Sequence, residues 1–559
     1  MSARHLVVGL DGADWAVIDA IGPASLPTLH RLRAGGAWAR LRSVQPPATL
    51  PNWTTFLTGV DPGDHGVFDF TTRAGYRVEF TAGTAREAPS VASRLDRLGL
   101  RAAVIGFPAT WPPERLRHGI FVSGWDSPVA FDADRSFCWP PSLHGALEAR
   151  FGALRFDDVD EFDAERPGWH DRLPAALVER VRRRADLAEW LLGREPWDLF
   201  AVYFGESDTA SHHLWALHDP ASPRHPRGTR PAERLGLERV YRALDAALSR
   251  LVAAAGRDVG LTVVSDHGSG GSSDRVLYLN RVLAEAGLLA FRPGSTAGAL
   301  AGWAKDQALT RLPARARQAA FGLAGRALPG WLESQARFGA LDLARTQAFS
   351  EELNYFPSVS LNIVGREPLG TVRQAERADV VRRVTEVLLA LRDPWSGTPI
   401  VRSVWPREDL FSGPYVTRAP DLLLDLHLDP RGYSYNLMPS GQAPPGTGPW
   451  RRLGPEEHLG RKGRSLPGSH RPRGLLLLHG PRVQPVGEIE ARIADATATL
   501  LARMDVDPGP ELAGRVLREA VPRAGSTVSR ALPAAPPPSR QVGDRQYVEA
   551  RLRALGYVD

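Results

Sequence analysis

Asp266 and His267 stand together one residue beyond the apolar run Leu261-Thr262-Val263-Val264, after Ser265, and directly before Gly268, so a carboxylate and an imidazole are delivered where a buried strand gives out at a turn. Both side chains bind metals, and polar groups that end a buried strand need partners. The arrangement recurs along the chain. His5-Leu-Val-Val-Gly-Leu10 ends in Asp11-Gly12, and the run Asp198 to Phe204 is followed by Asp208 and His212 in the spacing Asp-x-x-x-His. The run Gly474 to His479 is preceded by Pro467-Gly-Ser-His470, a histidine in a glycine-containing turn. Thr49 comes immediately before an expected helix whose first turn holds Pro51. Its hydroxyl would meet free N–H groups and the positive end of the helix dipole, which favour an alkoxide and any phosphate beside it.

Singly, each has a plainer explanation: a turn aspartate, a surface pair on a helix, a loop histidine, an N-cap threonine. Together, Asp11, Asp208, His212, Asp266, His267 and His470 are three carboxylates and three imidazoles, a donor set that suits zinc, with manganese or another divalent ion as alternatives. Six ligands and a hydroxyl suffice for two metals. Two ions about 4 Å apart can activate a nucleophile, steady a leaving oxygen and neutralise a phosphoryl group during in-line displacement.

The elements that must position these residues are strands alternating with helices. Apolar runs alternate with arginine- and alanine-rich stretches, the pattern of an α/β protein with a sheet covered by helices on both faces. Apolar residues at three- and four-residue spacing predict helices over Leu177 to Leu192, Ala232 to Ala254, Ala378 to Leu391 and Ile489 to Ala502. In open parallel sheets ligands bind at the carboxyl ends of strands, where Asp11, Asp208 and Asp266-His267 fall. Residues 280–343 turn mostly helical, with Trp303, Phe321 and Trp331 among arginines, and read as an insertion or cap. Arg431 to Pro467 reads as an extended loop leading to His470. After residue 505 the chain reads as an extension (506–559) with the Pro-rich linker Leu532 to Pro538 and a short helix at Gln546 to Leu555.

Composition narrows the function. The 559 residues carry 69 basic and 63 acidic side chains, nearly all the basic ones arginine, with Lys305 and Lys462 the only lysines. The charges are spread with acids among them, so no specific nucleic-acid binding is expected. The single cysteine, Cys138, excludes an intramolecular disulfide and a thiolate metal cluster. The amino terminus lacks an apolar signal segment, and no uncharged span approaches about 18 apolar residues, so no transmembrane helix and a cytoplasmic location are expected.

The series Gly9-Leu-Asp11-Gly12, Thr49-Leu-Pro-Asn-Trp-Thr-Thr-Phe-Leu-Thr-Gly-Val-Asp-Pro-Gly-Asp-His-Gly66, Asp208-x-x-x-His212, Ser265-Asp-His-Gly268 and Gly468-Ser-His470 resembles the type I phosphodiesterase/nucleotide pyrophosphatase family of the alkaline phosphatase superfamily. The resemblance covers residues 5 to about 500 and implies an alkaline-phosphatase-like, mostly parallel central sheet in a catalytic domain over residues 1–505. It implies that Asp208, His212 and His470 hold one metal. Asp11, Asp266 and His267 would hold the second, together with Thr49 as nucleophile, and attack on phosphorus would give a phosphothreonine that water then releases. Where animal members of that family place a phosphate-binding asparagine after the His-Gly motif, this chain has Phe68-Asp69-Phe70, which leaves the substrate open at the level of a small-molecule or lipid-like phosphate ester. Trp53, Phe68 and Phe70 are either pocket walls or plain core. A phosphomonoesterase, phosphonate hydrolase or phosphomutase could use the same ligands, and a non-catalytic metal-binding interaction protein could keep them. A sulfatase is disfavoured, because Cys138-Trp-Pro-Pro-Ser142 lacks the Cys-x-Pro-x-Arg pattern.

Overall fold

A central sheet carries the strands named above. The computed structural model describes residues 4–81, 83–124, 135–152, 161, 164, 166–292, 334–335, 337–444, 446–460, 465–522 and 530–531. Among them, nine strands form one sheet: β1 (His5–Leu10), β2 (Ala37–Arg42), β3 (Ala102–Ile105), β4 (Ile120–Val122), β5 (Cys138–Trp139), β6 (Leu199–Phe204), β7 (Gly260–Val264), β8 (Arg473–His479) and β9 (Gly487–Glu488). Their order is β9-β2-β8-β7-β1-β6-β3-β4-β5. From β7 through β1, β6 and β3 to β4 the strands run parallel, while β8 runs antiparallel to both neighbours and β5 antiparallel to β4. The sheet is the mostly parallel one expected.

Every residue of β1, β6 and β7 is buried, which explains runs of Val, Leu and Phe without polar alternation: helices cover both faces. Those helices include α1 (Thr49–Thr58), α2 (Trp169–Arg194), α3 (Glu206–His218), α4 (Gly236–Ala255) and α5 (Ile493–Arg503). Periodicity located α2, α4, α5 and the helix Arg377–Leu389 to within a few residues of their ends, except that α2 begins eight residues earlier than Leu177. On α4 the buried Leu237, Val240, Tyr241, Leu244, Leu248 and Leu251 mark the face turned to the core.

A second apolar core lies under a smaller antiparallel sheet of Ala348–Phe349, Ser358–Leu361, Leu422–Leu426 and Val401–Pro406. There Val359, Leu361 and Leu422 pack with Val380, Val384 and Leu388 of the helix Arg377–Leu389. Most of the insertion expected over 280–343 lies outside the described residues, Trp303, Phe321 and Trp331 included. Its described parts hold the end of the helix Leu279–Glu285 and a bridge from Phe291 to Leu341. The linker at 532–538 and the helix at 546–555 also lie outside the described residues. The segment after 505 packs against the large core through Leu512, Leu517 and Val521.

Two local expectations are corrected. Gly268 opens a strand: Gly268–Leu277 follows β7 almost at once. The stretch 431–467 is also more ordered than a loop, since Ser434–Leu437 pairs parallel and Trp450–Arg452 antiparallel with Gly268–Leu277.

Candidate active site

Strand register brings the candidate ligands level. Gly9 of β1 pairs with Val264 of β7 and with Tyr203 of β6, so Asp11 and Asp266, each two residues further on, emerge side by side. The link is closed by the Gly12 amide, which donates to Asp266 Oδ1 at 3.1 Å. After β6 the chain turns straight into α3, whose first turn carries Asp208 and whose second carries His212; the Asp-x-x-x-His spacing puts both on one face, and His212 is buried rather than a surface residue. His470 is not in a turn. It lies on the strand Gly468–Arg471, paired antiparallel with Gly268–Leu277 so that His470 sits opposite Ser269, two residues after His267.

Thr49 is the first residue of α1, with Ala48 at the N-cap. The hydroxyl therefore caps nothing and instead lies 3.4 Å from His267 Nε2.

The ligand atoms converge in two groups. His212 Nε2, His470 Nε2 and Asp208 Oδ1 are separated by 3.0, 3.2 and 3.6 Å. His267 Nε2 lies 3.6 Å from Asp11 Oδ1 and 3.3 Å from Asp266 Oδ2. Donors about 2.0–2.1 Å from a tetrahedral ion stand roughly 3.3 Å apart, so both groups have the spacing of a ligand shell. His267 joins them, since its donor atom also lies within 4.8 Å of those of Asp208 and His470.

Electrostatics call for a cation there. Asp11 Oδ1, Asp208 Oδ1 and Asp266 Oδ2 are buried and accept no hydrogen bond among the described residues; each faces imidazole Nε2 atoms instead. Burial pushes the Asp11 carboxyl well above the usual range, and repulsion from Asp266 and Asp208 adds to it. Asp266 is pushed the same way by burial and by Asp208. Burial also opposes ionisation of Asp208, but His212, His470 and His267 draw its carboxyl below the ordinary value. Burial and the neighbouring His267 hold His470 well below the usual imidazole range, hence neutral and free to donate a lone pair. Three acids whose buried oxygens are orphaned fit divalent ions.

Several side chains outside the expected set hold these ligands in place. Trp53 Nε1 and the Tyr203 hydroxyl both donate to Asp11 Oδ2, at 2.8 and 2.7 Å, which leaves Oδ1 as the atom that could bind a metal. Trp53 is thus a fully buried core residue with a polar task, and not a pocket wall; a Cβ on Gly9 would meet its indole at 2.8 Å. Ser43 Oγ donates to the Asp266 carbonyl and Ser207 Oγ to that of Asp11. His212 Nδ1 faces the Gly468 carbonyl at 3.1 Å and His470 Nδ1 that of Pro47 at 2.8 Å, which turns both Nε2 atoms inward. Phe68 packs in a separate small cluster with Phe411, and Phe70 is exposed. His65, of the Asp-His-Gly segment, is structural: it accepts from Val67 N at 3.2 Å and its other nitrogen meets Thr55 Oγ1 at 3.0 Å, with burial and Arg86 pushing its pKa down to about 3.

An α/β sheet whose carboxyl edge gathers acid and imidazole donors around a helix-terminal hydroxyl defines a metal-dependent hydrolase of phosphoric esters. Residues 5–447 match the profile of the type I phosphodiesterase / nucleotide pyrophosphatase family, and the chain belongs to that family. His470 lies beyond the matched span and is tied to the site by geometry. Among solved structures, human ectonucleotide pyrophosphatase / phosphodiesterase 5 is similar at 14% identity with a TM-score of 0.47, over 91% of this chain and 96% of that one. The murine protein gives the same figures, both by itself and as an inactive variant in complex with AMP. No curated protein matches the sequence closely enough to count as a relative. Among the described residues, no helix is long and apolar enough to cross a membrane.

Proposed function

We propose that the chain is a phosphodiesterase that uses Thr49 as nucleophile in a site for two divalent ions, zinc or manganese. The observation that carries this reading is the convergence of Thr49 Oγ1 and both ligand groups on His267. Asp208, His212 and His470 would hold one ion; Asp11, Asp266 and His267 would hold the other beside Thr49. The bound ions would supply charge neutralisation for the phosphoryl oxygens and lower the cost of ionising a hydroxyl. Thr49 Oγ1, at the positive end of α1, attacks phosphorus; the Thr–O–P bond forms as the bond to the departing alcohol breaks, and that alcohol leaves with the proton. Water then cleaves the Thr–O–P bond and restores the hydroxyl.

Support for a diester comes from the family, whose matched profile is that of a type I phosphodiesterase / nucleotide pyrophosphatase.

The test compares hydrolysis of bis-p-nitrophenyl phosphate with that of p-nitrophenyl phosphate, with zinc or manganese, after chelation, and in Thr49→Ala. The diester is expected to be cleaved faster, only with metal, with a loss of roughly a thousandfold or more in Thr49→Ala. Preference for the monoester would replace the diester reading with a phosphatase or mutase, and undiminished turnover in Thr49→Ala would remove Thr49 from its role.

A further inference from the structure

The imidazole of His470 is covered on both sides. His267 lies with its ring centroid 3.6 Å away and its plane 20° off parallel, and Tyr355 lies 4.0 Å away at 12°. Two rings cannot share one face at these distances, so His267 and Tyr355 occupy opposite faces. The Tyr355 hydroxyl also lies 3.4 Å from His212 Nδ1, with the two rings 5.3 Å apart. One half-buried phenol therefore touches two of the three side chains in one ligand group.

Tyr355 does not come from the sheet that supplies the ligands. It lies between Ala348–Phe349 and Ser358–Leu361 of the smaller sheet. That segment is tied down at several points. Ser350 N donates to Asn280 Oδ1 at 2.7 Å and Asn280 Nδ2 to the Ser350 carbonyl at 2.8 Å. The buried Glu352 carboxylate accepts from Asn280 N at 2.9 Å and from Ser440 Oγ at 2.6 Å, and Asn354 Oδ1 accepts from Leu437 N at 2.6 Å. Glu352 holds a φ of +55°, a conformation that is strained for a non-glycine residue and persists where surrounding contacts over-determine it. The brace ends at Asn280, just past the strand Gly268–Leu277 that starts beside His267.

We infer that Tyr355 is a positioning residue of the metal centre: its ring clamps His470 from the face opposite His267, and the braced segment 350–354 fixes the clamp, so that one of the two metal sites is completed by the smaller lobe. The inference rests on the two-metal reading of the site. The stack does the holding, because Nδ1 of His212 already has the closer Gly468 carbonyl as partner, so removing the ring matters and removing the hydroxyl does not.

The experiment is a zinc titration of the chelated full-length protein against a chromophoric competitor, for the wild type, Tyr355→Phe and Tyr355→Leu, with cobalt(II) visible spectra and the melting temperature of the chelated proteins. Tyr355→Leu is expected to lose about 10- to 100-fold in affinity at one site. The second site, its cobalt band and the metal-free Tm stay at wild-type values, and Tyr355→Phe restores the affinity. Wild-type affinity at both sites in Tyr355→Leu would overturn the inference. So would equal weakening of both sites with a fallen metal-free Tm, the mark of a merely structural residue. A wild-type protein that binds neither zinc nor, in the same competition titration, manganese would overturn the two-metal reading and this inference with it.

Discussion

Tyr203→Phe removes a single hydroxyl from the strand that lies beside β1. In the wild type that hydroxyl donates to Asp11 Oδ2 at 2.7 Å, and among the described residues the only other donor to the same oxygen is Trp53 Nε1 at 2.8 Å. Asp11 is 1% exposed, so water does not replace the lost bond. A hydrogen bond to a charged group contributes about 1.5–3 kcal/mol, and 1.4 kcal/mol is a factor of ten, so zinc at the Asp11 site should weaken by roughly 10- to 150-fold. Tyr203 is the cleaner target of the two donors. Trp53 packs edge-on against Phe56, Phe107 and Tyr203, and shortening it would open a cavity, whereas Phe at 203 keeps the ring in place. The assay is bis-p-nitrophenyl phosphate hydrolysis over a zinc series. The activity curve is expected to move to higher zinc by that factor, with the plateau near the wild-type value, since the hydroxyl holds a ligand and does not touch the substrate. An unmoved curve would refute the claim that Tyr203 orients Asp11; a lowered plateau at unchanged zinc dependence would place the hydroxyl in the chemistry instead.

Three further outcomes follow from the packing. In Gly468→Ala the new Cβ would collide with the Ser211 carbonyl and approach His212 Cα at 2.7 Å, so stability should fall by about 1–3 kcal/mol and zinc affinity at the His212–His470 site with it, as read by urea melts and competition titration. Burial pushes Glu352 from an ordinary 4.5 up to about 7; the neutral acid is the better-tolerated form, so its contribution is complete below pH 4.5 and lost as pH rises through 7. Relative to Glu352→Gln, the chelated wild type should lose about 3 kcal/mol over that window, and parallel pH–stability curves for the two proteins would show that Glu352 does not titrate there. Deleting residues 506–559 strips Leu512, Leu517 and Val521 from the large core and Glu511 from its ion pair with the buried Arg94. At about 1.5–3 kcal/mol for each apolar side chain this approaches the whole stability of a domain, so no cooperative melt is expected, and a truncated chain melting with the full-length protein would contradict it.

The candidate ligands were legible because each one stands at a fixed offset from a feature that sequence displays well. Asp11 and Asp266-His267 end apolar runs, and parallel strands in register bring such ends together without further information. Asp208 and His212 share a helix face by spacing alone. His470 was legible as a histidine beside an apolar run, but its strand was not, since Gly-Ser-His-Arg carries no apolar alternation and is made by its pairing with Gly268–Leu277. Tyr203 left a readable trace: a phenol inside a wholly buried strand must find a partner for its hydroxyl, and an acid at the end of the adjacent strand is the natural one. Tyr355 left none. Its neighbours Asn354 and Phe356 resemble any loop, and its place against His470 depends on how the smaller sheet docks beside the large one, held by contacts from Asn280 to Ser350 and from Glu352 to Ser440 that span 70 and 88 residues. Spacing reaches one element at a time; the stack on His470 is a property of two sheets meeting, which is why the candidate metal donors could be read before the structure and the residue proposed to steady one of them could not.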